Sequence, residues 1–202
     1  MKQTSIYLSI VLALGLMAVA SCSKSTYHMP QYAQADVPVV SAGSWWRYLV
    51  RDSIRNHTDT LTLSVASVTT AGTGYSAFCY IVDTGRAIDS GTLVVSATQW
   101  AFSSAAAKLG AFNLTLPFSA GDSWTTADSD AISVLPYQLD VDVQRQNYWV
   151  WDISRTRRQY DDTIRQHIQV TRNIGVVFQG YNYVGPAGAK RRFGAQLIDY
   201  HF

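Results

Sequence analysis

The chain has 202 residues, and its 16 Lys and Arg against 14 acidic residues give a formal net charge of +2. A balance this close to zero argues against nucleic acid as a partner. All the acidic residues are Asp, so carboxylate catalysis or metal binding would have to use Asp. The absence of Glu, with Ser, Thr, Val and Tyr abundant, disfavours long helices and favours strands.

The N-terminus has the form of an export signal. Lys2 precedes an apolar stretch over residues 6–20, which is shorter than a typical transmembrane helix. The segment Val19-Ala20-Ser21-Cys22 then resembles the lipobox of bacterial lipoproteins. That resemblance implies that residues 1–21 are a lipoprotein signal peptide, cut before Cys22, and that the Cys22 thiol is lipidated. The alternative is an ordinary secretory signal that happens to precede a cysteine.

Lipid on Cys22 would place the protein in the cell envelope, because two or more acyl chains hold a protein firmly to a membrane. In lipoproteins of this kind a serine after the cysteine, here Ser23, favours delivery to the outer membrane. Residues 22–36 are polar and predict a flexible tether with an average span of roughly 20 Å. Cys79 is then left without a disulfide partner, and its apolar neighbours predict a buried thiol.

Residues 37–202 are predicted to form a single β domain. The clearest strand covers residues 137–144, where apolar side chains alternate with Gln and Asp. Further strands are predicted over residues 45–52, 61–68, 75–82, 92–101, 111–116, 148–154, 164–171, 174–183 and 192–202, with one short helix over residues 103–109. About ten antiparallel strands at this spacing predict a strongly curved sheet, as a half-barrel or open barrel, with a β-sandwich as the alternative.

A short internal repeat interrupts the strand pattern. Residues 38–45 run from Pro38 through Gly43 to Trp45, and residues 117–124 run from Pro117 through Gly121 to Trp124. Each copy predicts a glycine turn that delivers a tryptophan into the start of a strand. Two such copies favour a domain of two similar halves, although coincidence in a Ser- and Gly-rich chain is an equally good explanation.

Several short motifs resemble those of β-rich lipoproteins of diderm bacteria that have no assigned activity. They are Gly43, Trp45, Trp46 and Tyr48 after the tether, Pro117, Gly121 and Trp124 in mid-chain, and Gly175-Val176-Val177 near the end. The resemblance covers most of the mature chain, and it implies a strongly curved antiparallel sheet similar to the half-barrel lipoprotein carriers. It implies no activity.

The residues offer little support for catalysis or metal binding. Gly121-Asp122-Ser123 has the letters of the GDS-type ester hydrolases, but no helix pattern follows it, so a hairpin turn is predicted. The histidines, His28, His57, His167 and His201, lack the paired spacing of a preformed metal site. A calcium site built from Asp140, Asp142, Asp161 and Asp162 is less favoured than ordinary exposed carboxylates. No catalytic residue, metal ligand or cofactor is therefore predicted.

One strand combines aromatic and basic residues and supplies the candidate binding site. Trp149, Trp151 and Ile153 alternate along it, and Arg155, Arg157 and Arg158 follow directly. An apolar strand face next to a basic cluster predicts contact with a ligand, a partner protein or a second sheet layer. The predicted ligand-binding residues are Trp149, Trp151, Arg155 and Arg157. A solvated loop with charges beside it is the less specific explanation of the same pattern.

Two functional hypotheses follow from these features. The first is a membrane-anchored envelope lipoprotein with a non-catalytic role, which binds an apolar or glycan ligand or an envelope protein partner. The second is an Asp-dependent hydrolase of envelope or extracellular polymers, with help from His167 or His201. Two Asp carboxylates about 5–9.5 Å apart in one pocket would favour the hydrolase, because glycosidases use such separations.

Overall fold

The structure is a computed structural model that describes residues 30–53, 56–104, 109–126, 129–135, 138–144, 146–159, 162–184 and 190–202. The predicted signal peptide, Cys22 and residues 22–29 of the predicted tether lie outside these ranges. So do Asp161 and four residues of the predicted helix over residues 103–109, whose first two residues instead end a strand. Within the described ranges, no helix is long and apolar enough to cross a membrane.

Thirteen strands and one 3₁₀ helix, Gln34–Asp36, occur in the described part of the chain. The strands are β1 (Trp45–Asp52), β2 (His57–Ala71), β3 (Gly74–Asp83), β4 (Arg86–Val95), β5 (Gln99–Ser104), β6 (Phe112–Thr115), β7 (Ser123–Thr125), β8 (Ala131–Val134), β9 (Gln138–Val143), β10 (Gln146–Gln159), β11 (Asp162–Thr171), β12 (Gly175–Val184) and β13 (Lys190–His201).

Twelve of these strands form one antiparallel sheet in the order β6-β5-β4-β3-β2-β1-β13-β12-β11-β10-β8-β7, and β9 pairs with β10 outside this order. The sheet is strongly curved and does not close, since β6 and β7 remain its two edges. The order consists of a meander of the six strands β1–β6 and a second set of six strands, and β1 of the first set pairs with β13 of the second. The predicted all-β, strongly curved antiparallel sheet is confirmed, with more strands than the ten expected.

Strand alternation explains why the sheet has one apolar face. On β1, Trp46, Tyr48 and Val50 are buried while the residues between them are more exposed. Equivalent buried sets follow on the neighbouring strands: Leu61, Leu63 and Val65 on β2, Ala77, Cys79 and Ile81 on β3, and Ala195 and Leu197 on β13. Each buried Val, Leu or Ile side chain among them contributes roughly 1.5–3 kcal/mol of hydrophobic free energy. Cys79 is buried as predicted, and its burial raises the pKa of the thiol to about 11.

Residues 30–40, which we call the strap, cross the gap between the two edges of the sheet. Tyr32 forms an antiparallel bridge with Phe118, which lies in the connection from β6 to β7. The Tyr32 side chain is completely buried, and its ring stacks on the rings of Phe118 and Trp100 at centroid distances of 5.0 and 5.8 Å. The prediction of a flexible tether over residues 22–36 is therefore wrong for residues 30–36, which belong to the folded domain.

The interior of the curved sheet is filled by the chain itself. Aromatic side chains from several strands lie there, among them Trp46, Trp100 and Phe112. They leave a cavity of only about 30 Å³, which could hold a water molecule or two but no drug-sized ligand. An apolar ligand could enter this interior only if these side chains moved aside.

The two copies of the internal repeat adopt the same turn. In the first, the amide of Ser41 donates to Ser44 Oγ at 3.0 Å, and the amide of Gly43 donates to Val65 O at 2.9 Å. In the second, the amide of Ser119 donates to Asp122 Oδ2 at 2.7 Å, and the amide of Gly121 donates to Val134 O at 2.8 Å.

The backbone of the two repeat turns matches as closely as their hydrogen bonds. Both glycines have positive φ, at 95° for Gly43 and 94° for Gly121. Aligning the turns pairs Trp124 with Trp46 rather than with Trp45, so the tryptophan match is shifted by one residue from the one that the sequence suggested. Gly121-Asp122-Ser123 thus forms a turn that leads into a strand. The predicted hairpin is wrong, because the strands before and after this turn, β6 and β7, do not pair with each other.

Candidate functional site

The candidate site lies at the end of the sheet opposite the strap. Because the strands are antiparallel, the strap, the β2–β3 turn and the β11–β12 turn share one end, which we call the strap end. The β3–β4 turn at residues 84–85 and the β7–β8 connection at residues 126–130 lie at the other, far end. Strand β10 runs from the strap end, where Trp151 pairs with Val170, toward the far end, where Arg155 and Arg157 lie.

Two predicted site residues, Arg155 and Arg157, are brought together by one buried carboxylate. Asp130 is 1% exposed and lies in the connection that precedes β8. Arg155 Nε and Nη2 both donate to Asp130 Oδ2, the former at 2.7 Å. Arg157 Nε donates to Oδ1 at 2.8 Å and Arg157 Nη2 to Oδ2 at 2.9 Å. Charge-assisted contacts of this kind fix both guanidinium groups in place.

The electrostatics of this cluster favour anions. Hydrogen bonds from Arg157 lower the pKa of Asp130, and those from Arg155 add to this effect against the opposing influence of burial. A carboxyl group held ionised in this way is a poor general acid. With Asp130 ionised, these three described groups carry two positive charges and one negative charge.

A second polar group, the Tyr181 network, lines the inner face of the sheet beside Arg155. Gln166 and Gln179 are each 3% exposed, and both side-chain amides donate to Tyr181 Oη, at 2.9 and 3.0 Å. Tyr181 Oη in turn donates to the carbonyl of Ala111 at 3.3 Å. Burial is the largest cause that raises the pKa of Tyr181, and the nearby Arg155 charge opposes it. The phenol is therefore a neutral hydrogen-bonding group at physiological pH.

Gly110 allows the β5–β6 connection to approach this network. Its φ is +78°, and a Cβ atom there would lie 2.5 Å from both Gln179 Nε2 and Tyr181 Oη. Only glycine has neither the steric cost of positive φ nor the clashing atom. The carbonyl of Ala111 can thus accept hydrogen bonds from Gln166, Gln179 and Tyr181 together.

The Arg155 cleft is the open space between these groups. It has a volume of about 350 Å³ and is lined by Gly110, Ala111, Arg155, Gln166, Tyr181 and Phe193. This volume lies within the range of small-molecule sites. A guanidinium group, a side-chain amide, a phenol and one aromatic ring suit a polar ligand with an acidic group better than an apolar one.

The predicted tryptophans lie away from this cleft and differ from each other. A β-bulge between Tyr148 and Trp149 shifts the register against β9 and accompanies a break in alternation, so that Val150 and Trp151 are both completely buried. Trp151 is a core residue: its ring meets Tyr32 edge-on at 5.0 Å, and its Nε1 donates to Pro30 O at 3.2 Å. Trp149 is 47% exposed, and its role as a ligand contact stays a prediction.

The remaining candidate ligands are spread over the molecule. Within the described ranges, no group of three or more His, Cys or Asp side chains is placed to hold a metal ion. His57 and His167 contact different carboxylates, Asp59 and Asp152, each at 3.3 Å. The proposed calcium ligands Asp140, Asp142, Asp161 and Asp162 have side chains outside the described part of the structure, so that hypothesis stays a prediction.

Sequence reasoning missed several residues of the Arg155 cleft. Asp130 follows Ser129, which has positive φ, in a loop whose sequence gives no sign that its carboxylate is buried. Gln166 shares the apolar side of the strand predicted over residues 164–171 with Ile164 and Ile168, and no role was predicted for it from the sequence. A glutamine at an apolar position is in fact the one signal that could have located the polar network, because buried amides need partners.

Comparison with known proteins extends the description of the fold. No model of a known protein family matches the chain, and no curated protein matches its sequence. A predicted exported protein with a YmcC-like fold from Bacteroides fragilis is similar, with a TM-score of 0.50 and 11% identity over 82% of this chain and 98% of that chain. This chain shares that fold.

A predicted lipoprotein from Parabacteroides distasonis aligns with a TM-score of 0.48 and 9% identity, over 84% of this chain and 99% of that chain. At such low identity, similarity to solved structures indicates fold alone and assigns no ligand or activity.

Proposed function

We propose that this protein is a lipid-anchored lipoprotein of the cell envelope that binds an acidic glycan in the Arg155 cleft, without catalysing a reaction. The observation that carries the proposal is the pairing of Arg155 and Arg157 on buried Asp130, next to the open cleft. A preorganised guanidinium group favours carboxylates. The amide of Gln166 and the phenol of Tyr181 offer hydrogen bonds for hydroxyl groups, and the Phe193 ring offers an apolar wall.

The proposed anchor sets the orientation of the cleft. Only residues 22–29 separate the proposed lipid on Cys22 from Pro30, and a fully extended segment of that length spans at most about 28 Å. The chain enters the domain at the strap end, while the Arg155 cleft opens at the far end. A ligand bound there would therefore lie on the side of the domain turned away from the attached membrane.

The anchor is tested by replacing its cysteine. Cys22→Ser removes the thiol to which lipid would be attached, so we expect the protein to move from the membrane fraction to the soluble fraction. Metabolic labelling with a radioactive or alkyne fatty acid should label the parent chain and not the variant. A Cys79→Ser variant is the matched control and should remain labelled and membrane-bound. Labelling of C22S would contradict the anchor.

The glycan site is tested by calorimetric titration of the purified domain with an acidic oligosaccharide, an oligouronate, and with a neutral oligosaccharide of the same length. We expect binding of the oligouronate alone. Arg155→Met should weaken it about tenfold or more, since hydrogen bonds to charged groups contribute about 1.5–3 kcal/mol. Tyr181→Phe should weaken it less, and Arg86→Gln, which changes a charge on the distant strand β4, should leave it unchanged.

Two results of these titrations would contradict the proposed glycan site. Equal affinity for both oligosaccharides, or an R155M variant that binds as the parent does, would overturn it. Because R155M also disturbs Asp130, each variant is first compared with the parent by thermal unfolding. Arg155→Lys, which keeps the charge near Asp130, provides a second measurement: it should retain more affinity than R155M.

An Asp-dependent hydrolase remains the alternative hypothesis. Among the described carboxylates, Asp130 is held between two guanidinium groups and Asp152 is paired with His167, so neither arrangement supplies the protonated carboxyl group that a glycosidase needs. Release of reducing sugar ends from the oligouronate during the titrations above would favour this alternative.

A further inference from the structure

The outer, convex face of the sheet carries a depression with a glycine floor, which we call the glycine socket. Arg51 on β1 pairs with Gly194 on β13, Gly194 pairs with Gly180 on β12, and Gly180 pairs with His167 on β11. The four residues therefore form one row across four strands, about 4.8 Å apart from strand to strand. Two glycines in the middle of such a row leave a gap between the flanking side chains.

The orientation of the row follows from alternation. Val50, Ala195, Gln179 and Ile168, which are neighbours of these four residues along the strands, are all buried in the core. Successive side chains of a strand point to opposite faces of the sheet. Arg51 and His167 consequently project outward, away from the Arg155 cleft on the inner face.

Side chains of the adjacent rows form the walls of the socket. Phe178 lies on the strap side, and a Cβ atom on Gly180 would come within 2.8 Å of its ring, which shows that the ring leans over the glycines. Arg192 and Asn182, which are paired residues of β13 and β12, lie on the far side. The socket has a volume of about 430 Å³ and includes Arg51, His167, Phe178, Asn182 and Arg192 among its lining residues.

The charges of the socket are unbalanced. Within the described part of the chain, neither the Arg51 nor the Arg192 side chain has an ion pair or a hydrogen bond, and both are exposed. His167 Nδ1 lies 3.3 Å from Asp152 Oδ1, which orients the imidazole ring. Among the described residues that line the socket, Asp52 is the single acidic side chain, against Arg51 and Arg192.

We propose that the glycine socket binds a sugar phosphate, with the phosphate between Arg51 and Arg192 and the sugar against the Phe178 ring. Guanidinium groups bind phosphate through several charge-assisted hydrogen bonds. The Asn182 amide can donate to and accept from sugar hydroxyls, and glycine backbone lets a ligand approach the sheet closely. The site is separate from the Arg155 cleft and does not depend on it.

The test is a calorimetric titration of the folded domain with four probes: glucose 6-phosphate, glucose, inorganic phosphate, and vesicles that contain phosphatidic acid. We expect glucose 6-phosphate to bind, inorganic phosphate to bind more weakly and glucose not to bind. The double variant Arg51→Gln/Arg192→Gln should lose at least tenfold in affinity for glucose 6-phosphate. Arg86→Gln on β4 should lose none.

A second variant tests whether the double variant weakens binding only because the net charge of the protein has changed. Gly194→Leu places a side chain in the floor of the socket without removing any charge, and it should also abolish binding while thermal unfolding reports that the domain is folded. Glucose 6-phosphate that binds the double variant or G194L as well as the parent would overturn the proposal. Binding of the phosphatidic acid vesicles alone would overturn it too, since it would indicate a membrane surface rather than a sugar.

Discussion

Asp130 is the residue on which the geometry of the Arg155 cleft depends. Its buried carboxylate accepts hydrogen bonds from both guanidinium groups, so Asp130→Asn would remove a negative charge that both arginines share. Because these arginines are partly exposed, we expect a loss of about 2–3 kcal/mol, below the usual cost of breaking a fully buried ion pair. Urea unfolding at pH 7 measures this loss, and Asp59→Asn, in an exposed pair, is the control.

The same residue predicts how stability depends on pH. The Arg157 hydrogen bonds lower the pKa of Asp130 in the folded protein, so its contribution is complete above the pKa of the unfolded chain. It is lost as pH falls through the lower, folded-state value. The difference in unfolding free energy between the parent and D130N should therefore shrink toward pH 3. A difference that is constant between pH 7 and pH 3 would contradict this assignment.

For His167 we expect the opposite dependence of stability on pH. Its hydrogen bond to Asp152 raises the pKa of the imidazole in the folded protein, which stabilises the fold fully below the unfolded value of about 6.5. That contribution is lost as pH rises through the folded-state pKa. We expect His167→Gln to cost up to about 1 kcal/mol at pH 5.5, as for other partly exposed pairs, and less at pH 8.5. Thermal unfolding at both pH values measures the difference.

Single residues of the site could be predicted only in part. Arg155 and Arg157 stood out because three arginines follow an aromatic strand, and the structure places these two on one carboxylate. Trp151 could not be assigned in the same way, because Val150 and Trp151 are both buried beside a register shift between β9 and β10 that the sequence pattern does not indicate. Asp130 was missed because a loop aspartate usually faces solvent.

At the scale of elements, the strap is the segment whose contribution is easiest to measure. The Tyr32 ring packs against three aromatic rings, so Tyr32→Ala should cost about 3–5 kcal/mol, as for other large aromatic residues in cores. Within the described residues its hydroxyl is buried and has no partner. Tyr32→Phe should thus leave stability unchanged or raise it. A large loss in Y32F would show that the hydroxyl has a partner after all.

The paired turns before β1 and β7 offer a matched comparison. Gly43 and Gly121 have nearly the same positive φ, and no atom lies within 4 Å of a Cβ built on either. Replacement by alanine should therefore cost about 1 kcal/mol at each position, from backbone strain alone. Chemical denaturation of G43A and G121A tests this. A cost at one position and none at the other would contradict the equivalence of the two turns.

Regular strands could be predicted better than the irregular segments that connect or cross them. Strands such as β1 and β11 could be located because apolar and polar side chains alternate along them. The strap could not be distinguished from a tether by its composition. Its order depends on Tyr32, which packs against side chains 68 or more positions away in sequence. Contacts between segments so distant in the chain leave no local pattern.

At the scale of the whole molecule, side chains of the protein fill the interior of the curved sheet. The two polar candidate sites, the Arg155 cleft and the glycine socket, lie at the far end and on the convex face. The small interior cavity argues against an apolar cargo, although curvature alone would have suggested one. Under the proposed anchor, the strap end faces the attached membrane and the Arg155 cleft faces away. Curvature could be predicted from strand number and spacing, but the packing of the interior could not.

The central proposal is that the Arg155 cleft binds an acidic glycan, with Arg155 in contact with the ligand and Arg157 coupled to Arg155 through Asp130. Nuclear magnetic resonance spectra of the arginine side chains, recorded as an oligouronate is added, test it most directly. We expect the Nε–H signals of Arg155 and Arg157 to shift with one binding curve, while those of Arg51, Arg86 and Arg192 remain in place. Shifts confined to arginines outside the cleft, or no shift at saturating oligouronate, would contradict the claim.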